Sequence, residues 1–186
     1  MKGPERIETA RLILRKPHAV DAETIFKRYS SDPEVTRLVG WPTHRSVEDA
    51  YAFVTFSDSE WERWPAGPYL IESRATRQLL GSTGLGFKSL ELVETGYVLA
   101  KDAWGFGYAT EALGAMVEVA RSLGVRWLCA FCHPEHAASG RVLEKCGFQS
   151  ERLLKDRAVF PNLDPGQPMD SLRFGRDLSP APSRSV

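Results

Sequence analysis

An excess of charge of either sign is missing from this chain. Lysine plus arginine and aspartate plus glutamate stand at 24 each in 186 residues, a formal net charge of +0. No global field then draws the protein to nucleic acid or to an anionic membrane surface. Long apolar runs are missing too: nothing approaches the roughly 20 residues a bilayer-spanning helix needs. The opening stretch, Met1–Arg15, lacks the apolar centre of an export signal. These absences predict a cytoplasmic protein with neither nucleic-acid nor membrane partners. Cysteine is scarce. The three present, Cys129, Cys132 and Cys146, are an odd number without a disulfide-scaffold spacing. Cys129–His133 does spell C-x-x-C-H, as in haem attachment, and His136 adds a further nitrogen of zinc-ligand type. However, Arg126–Cys132 reads as a buried strand, where cysteines three apart point to opposite faces. No metal is expected.

What is present is ordinary for a globular protein: 42% apolar and 26% charged residues. The chain suits one domain over residues 1–178, with a Ser/Pro-rich, disordered tail over 179–186. Arg11–Arg15 reads as a strand, Val20–Tyr29 as a helix, and Val47–Trp64 as a longer helix introduced by Ser46 and Asp49. Tyr69–Glu72, Leu79–Phe87 and Leu90–Ala100 follow as an antiparallel meander. Thr110–Leu123 carries the clearest helical stripe, closed by Gly124. A strand at Arg126–Cys132, a helix at Ala137–Cys146 and a strand near Ser171–Arg176 complete the pattern, the last reached through a loop at Pro161–Pro168. Strands and helices mixed in this way, with an antiparallel start, predict an α+β or mixed-sheet α/β domain.

The informative segment is Glu94–Leu113, in which a strand runs into a loop holding Gly105 and Gly107 and then into a helix. Glycines let backbone approach a ligand, and the first amides of a helix point at an anion. A dinucleotide fold would want G-x-G-x-x-G in the first strand–helix unit, yet Thr110 holds the third place and the motif comes late. A phosphate loop of the G-K-[ST] kind is also absent.

Trp104–Ala109, W-G-F-G-Y-A, instead resembles the pyrophosphate loop of the GNAT superfamily of acyl-CoA-dependent N-acetyltransferases, Q/R-x-x-G-x-G/A, with Trp104 in the place of Gln or Arg. That replacement resembles one branch, the ribosomal-protein-type N-terminal acetyltransferases. Thr9–Arg15, Ser31–Thr36, Gly96–Tyr97 and Arg141–Phe148 fall in that branch's order, so the resemblance spans about residues 7–178. It implies a mixed, mostly antiparallel sheet, flanked by helices and splayed between two central strands, Glu94–Ala100 and Arg126–Cys132. It implies acetyl-CoA as donor, its pantetheine arm along Tyr97, Val98 and Leu99. Its pyrophosphate would rest on Trp104, Gly105, Phe106, Gly107, Tyr108, Ala109 and Thr110.

Direct attack of an amine on the thioester needs a neutral amine, a donor for the oxyanion and an acid for the departing thiolate. The resemblance puts the oxyanion donor on backbone near Leu99 and the acid on Ser139, in the branch's N-x-x-S segment. The same serine also suits a plain backbone bond in the first helical turn. His136 stands where the branch has Asn, and so faces either pantetheine or substrate. Glu94 is the candidate base, acting through water, with an exposed strand glutamate as the alternative. Trp41 and the aromatic run Trp61–Trp64 fall on the acceptor side, where core packing explains them as well. An α-amine is about a quarter neutral at pH 7.4 and a lysine roughly one part in a thousand, a difference of about 3.5 kcal/mol. A chain without a strong base is thus matched to a protein N-terminal α-amine. A small-molecule amine (amino acid, polyamine or aminoglycoside) or a non-catalytic acyl-CoA sensor are the alternatives. The protein is expected to act as a monomer or homodimer.

Overall fold

The computed structural model describes residues 2–89 and 91–179. The tail expected at 179–186 lies outside the described residues from position 180 onward, as does Leu90 at the expected start of a strand. The strands are β1 (Arg6–Glu8), β2 (Leu12–Arg15), β3 (Pro68–Ser73), β4 (Leu79–Phe87), β5 (Val93–Leu99), β6 (Trp127–Cys132), β7 (Gln149–Val159) and β8 (Pro168–Asp177). The α-helices are α1 (Ala22–Ile25), α2 (Pro33–Thr36), α3 (Val47–Arg63), α4 (Tyr108–Ser122) and α5 (Ala137–Lys145). All eight strands join one sheet in the order β1-β2-β3-β4-β5-β6-β8-β7. The β5–β6 pair alone runs parallel; its neighbours are antiparallel. This is the mixed, mostly antiparallel sheet expected.

Alternation along the central strands sends side chains to two helical layers. Tyr69 and Ile71 pack with Leu113, Met116 and Val117 of α4, while Leu70 packs with Ile25 of α1 and Val54 of α3. The α4 stripe is buried as its period predicts, with Ala112, Leu113, Met116 and Ala120 at 0% exposure. On α3 the buried line is Ala50, Val54, Ser57 and Trp61, whereas Tyr51 lies outside on the solvent side. At its start Asp49 accepts from the amides of Arg45 and Ser46, the cap predicted from S-V-E-D.

One expectation is corrected, one alternative is decided and one strand is added. Val20–Tyr29 is not one helix: a 3-10 turn at Ala19–Asp21, the short α1 and a π turn at Phe26–Ser30 share it, and Val20 faces water. Trp61 and Trp64 belong to packing, Trp61 edge-on to Tyr69 and Trp64 stacked on Phe87. Gln149–Val159 is the long edge strand β7, with most of its positions exposed; its lack of apolar alternation hid it.

Candidate active site

Parallel register between β5 and β6 is confined to Val93↔Leu128 and Glu94↔Cys129. Beyond Glu94 the two strands part. β6 continues with β8 from Trp127↔Asp177 to Cys132↔Leu172, and β5 stays with β4 as far as Gly81↔Leu99. Among the described residues, the edge of β5 facing β6 thus has no strand partner from Thr95 to Leu99. A cleft of about 490 Å³ fills the opening. The side chain of Leu99 is buried in the core, so its backbone is what it can offer there, while Tyr97 and Val98 are half-buried and line the cleft.

Past β5 the chain turns into the glycine loop. Gly105 and Gly107 hold φ of 82° and 79°, a left-handed conformation that suits glycine. Gly107 is the N-cap of α4, which begins two residues earlier than the apolar stripe suggested, and no side chain caps it. The amides of the first turn, Tyr108, Ala109 and Thr110, open that end of the helix, where the peptide dipoles favour negative charge. Trp104 has another task. Its indole N–H donates to the Leu99 carbonyl at 2.8 Å and its amide to Lys101, tying the loop to the end of β5.

A brace from the turn between β1 and β2 holds the loop, and its residues carry no role in the sequence analysis. Arg11 donates from Nη1 to the Phe106 carbonyl, from Nε to Glu111 at 2.7 Å, and lies over the Tyr108 ring. Glu111 also accepts from the Arg11 amide and the Thr9 hydroxyl. Burial opposes ionisation of Glu111, but the bonds from Thr9 and Arg11 outweigh it and hold the carboxyl below its usual range. A carboxyl with a lowered folded pKa adds stability above its unfolded pKa and loses it as pH falls through the folded value. Glu111→Gln should therefore destabilise the protein at pH 7, with the gap to wild type closing below about pH 4.5. Urea midpoints at pH 7 and pH 4 check this; a constant gap would mean that the ionised carboxylate contributes nothing.

On the α5 side, Tyr97 and Ser139 meet inside the cleft. The phenol lies 3.2 Å from Ser139 Oγ and 3.4 Å from the Ser139 carbonyl. Burial pushes Tyr97 up to about 12, so the phenol keeps its proton at neutral pH. Cys132 closes this corner with its thiol raised to about 11 by burial, an effect that the nearby Ser139 hydroxyl reduces. Cys129 instead donates to the Val93 carbonyl. His136, the N-cap of α5, also lines the cleft, and burial followed by the nearby His133 lowers its pKa, leaving it neutral. Ser139 is thus engaged with a side chain as well as standing in the first turn of α5.

On the opposite side, Glu94 sits half-buried where β5 and β6 part. Trp41 lines the cleft beside Val39 and Gly40, its ring 5.2 Å from that of His44. From α3 the lining residues are Phe53, Phe56 and Glu60, a flank adjacent to the buried stripe. These three were missed because the stripe drew attention to Trp61. Asn162 joins two walls: it accepts from the Thr43 amide at 2.8 Å and donates to the carbonyls of Thr36 and Trp41. The catalytic candidates Glu94 and Ser139 therefore line one cleft, with Tyr97, His136 and Trp41, whereas the glycine-loop residues lie outside its lining, between the end of β5 and the start of α4.

The chain matches the family model for an acetyltransferase (GNAT) domain over residues 11–149. An uncharacterized N-acetyltransferase of Bacillus subtilis, YoaA, is 34% identical over 170 residues, covering 89% of this chain and 92% of that protein. Among solved structures, the ribosomal alpha-N-protein acetyltransferase RimL in complex with coenzyme A superposes with a TM-score of 0.81 at 20% identity. That likeness covers 93% of this chain and 98% of the other. The self-immunity acetyltransferase MccE, in complex with acetyl-CoA and AMP, gives 0.82 at 18% identity over 94% and 97%. At such identities the two structures speak for the fold; the family model and the Bacillus relative speak for descent. The chain belongs to the GNAT family of N-acetyltransferases.

Proposed function

We propose that this enzyme uses acetyl-CoA to acetylate an α-amine at a protein N-terminus, by direct attack within a ternary complex. The parting of β5 from β6 beside the uncapped start of α4 carries this reading. The residues fit such a donor. Unpaired backbone of Thr95–Leu99 suits an amide-bearing arm that adds as a partial strand, and the amides around Gly107 suit a pyrophosphate. Acetyl-CoA supplies an activated acyl group and a thiolate that must be protonated as it leaves. Ser139 holds a proton at Oγ, supported by the Tyr97 hydroxyl. Neutral His136 serves as a hydrogen-bonding group at the start of α5. Glu94, on the other side, is suited to receive a proton from the incoming amine through water.

An α-amine is favoured over lysine because, among the described residues lining the cleft, no strong base offsets the roughly 3.5 kcal/mol by which a lysine is harder to deprotonate than an α-amine. Calorimetry with acetyl-CoA, followed by thiol release with N-terminal peptides and small amines, tests the reading. Tight acetyl-CoA binding without thiol release across the panel would point to a sensor, and preferred turnover of free small amines would replace the peptide.

The acceptor side depends on Asn162. Its amide satisfies three backbone groups on the Thr36–Thr43 segment, and bonds of this kind are worth about 0.5–1.5 kcal/mol each. Asn162→Ala should cost about 1–3 kcal/mol of stability and raise the acceptor KM, with the acetyl-CoA Kd unchanged. Denaturant titration and separate KM measurements check it. A shift in acetyl-CoA affinity as large as that in acceptor KM would contradict it.

A further inference from the structure

Half of the floor of the cleft on the α3 side is glycine. Across β4 and β5, Ser82 pairs with Val98, Gly84 with Gly96, and Gly86 with Glu94, so these residues share one face. Gly96 does not have a positive φ, and a Cβ built there meets nothing within 4 Å. A Cβ on Gly86 meets the Glu94 carbonyl at 3.9 Å, an ordinary contact. Neither backbone conformation nor packing within the chain calls for glycine at these two positions. Glycine inside a strand weakens it and marks a place where another molecule approaches closely.

Above this floor stand Trp41, Phe53, Phe56, Phe131 and Phe160. Phe56 and Phe131 remain 54% and 42% exposed, apolar surface turned to an open cleft and not to the core. Charge in the lining is of one sign. Among the described residues, Glu60 and Glu94 line it and no lysine or arginine does, while His136 is neutral. Such a site receives an ammonium or amine beside carboxylates and gives a second apolar group a flat, aromatic-walled seat. An acidic substituent finds no counter-charge.

We infer that the acceptor is an amine whose α-carbon carries a large apolar or aromatic group, such as a peptide beginning with Phe, Tyr, Trp or Leu. The inference rests on the acetyltransferase reading above and narrows its substrate. A free amino acid is disfavoured, because its carboxylate would enter a cleft lined only by negative charge.

The test uses the full chain with acetyl-CoA and peptides that differ only in the first residue: Phe, Leu, Ala, Ser or Asp. Phe and Leu should exceed Ala by about 10- to 100-fold in kcat/KM, the range expected for apolar pockets, and Asp should be lowest. Gly86→Val puts a branched side chain on the floor from β4, outside the β5 backbone assigned to the donor; it should bring the Phe-to-Ala ratio close to one while the acetyl-CoA Kd stays the same. Equal rates for Ala and Phe, preference for Asp, or a ratio unmoved by Gly86→Val would each overturn the inference while leaving the acetyltransferase reading intact. A second readout does not need turnover. Phenylalaninamide should bind the wild type, detected by calorimetry, and Gly86→Val should weaken that binding at least about tenfold. No binding of this probe overturns the proposed seat, whereas failure of acetyl-CoA to bind overturns the donor assignment instead.

Discussion

Gly107→Val should abolish measurable acetyl-CoA binding in a protein that still folds. The position holds φ at 79°, where a β-branched residue is strained. The strain amounts to about 1–3 kcal/mol, small against the usual 5–15 kcal/mol of a folded domain. A Cβ there would lie 3.6 Å from Arg11 Nη2, ordinary contact, so no core clash accompanies the change. Relief comes when the loop rotates toward negative φ, which turns the amides of Tyr108 and Ala109 away from their shared focus. Each hydrogen bond to a charged group is worth about 1.5–3 kcal/mol, so losing two amounts to roughly 100-fold or more in Kd. Calorimetry would read the loss and a thermal melt would verify the fold. Intact affinity in a folded variant would remove the loop from the binding site.

The same loop illustrates what is legible without coordinates. Glycine spacing, a strand before it and a helical stripe after it are local patterns, and β3, β4, β5, α4 and β6 all emerge from such patterns with ends displaced by a few residues. β7 escapes because its eleven residues lie on an edge with little burial, leaving Leu153 and Val159 exposed and no alternation to detect. β1, with three residues, is too short for any period. The supporting contacts escape for another reason. Arg11 and Glu111 stand 100 positions apart, and Asn162 reaches partners 119 to 126 positions away. Nothing in either neighbourhood encodes the meeting; it arises only when β2 is laid beside the start of α4, or the loop after β7 beside Trp41. The family resemblance supplied order along the chain. The acceptor side depends on which flank of α3 faces the opening, and that flank, Phe53, Phe56 and Glu60, lies beside the obvious stripe and not on it.

Ser139→Ala should lower kcat by about 10²- to 10⁴-fold, the usual contribution of general acid catalysis, while acetyl-CoA affinity changes little. The argument begins with Tyr97. Its half-buried phenol, raised to about 12, stays protonated across the working pH range and donates toward Ser139 Oγ at 3.2 Å. With that oxygen accepting from Tyr97, the serine's own hydrogen is left to donate elsewhere in the cleft. A hydroxyl arranged in this way is a better donor than one on its own, because each bond in a chain polarises the next. Tyr97→Phe keeps the ring and removes only the donor, so it should give a smaller loss in kcat, again with little change in Kd. The two residues act as one unit. The double variant should therefore be hardly slower than Ser139→Ala alone, a failure of additivity that independent packing effects would not produce. If Ser139 merely finished the first turn of α5, Ser139→Ala would cost stability and leave kcat in place. An unchanged kcat in that variant would take the proton from Ser139 and leave Tyr97 without a relay.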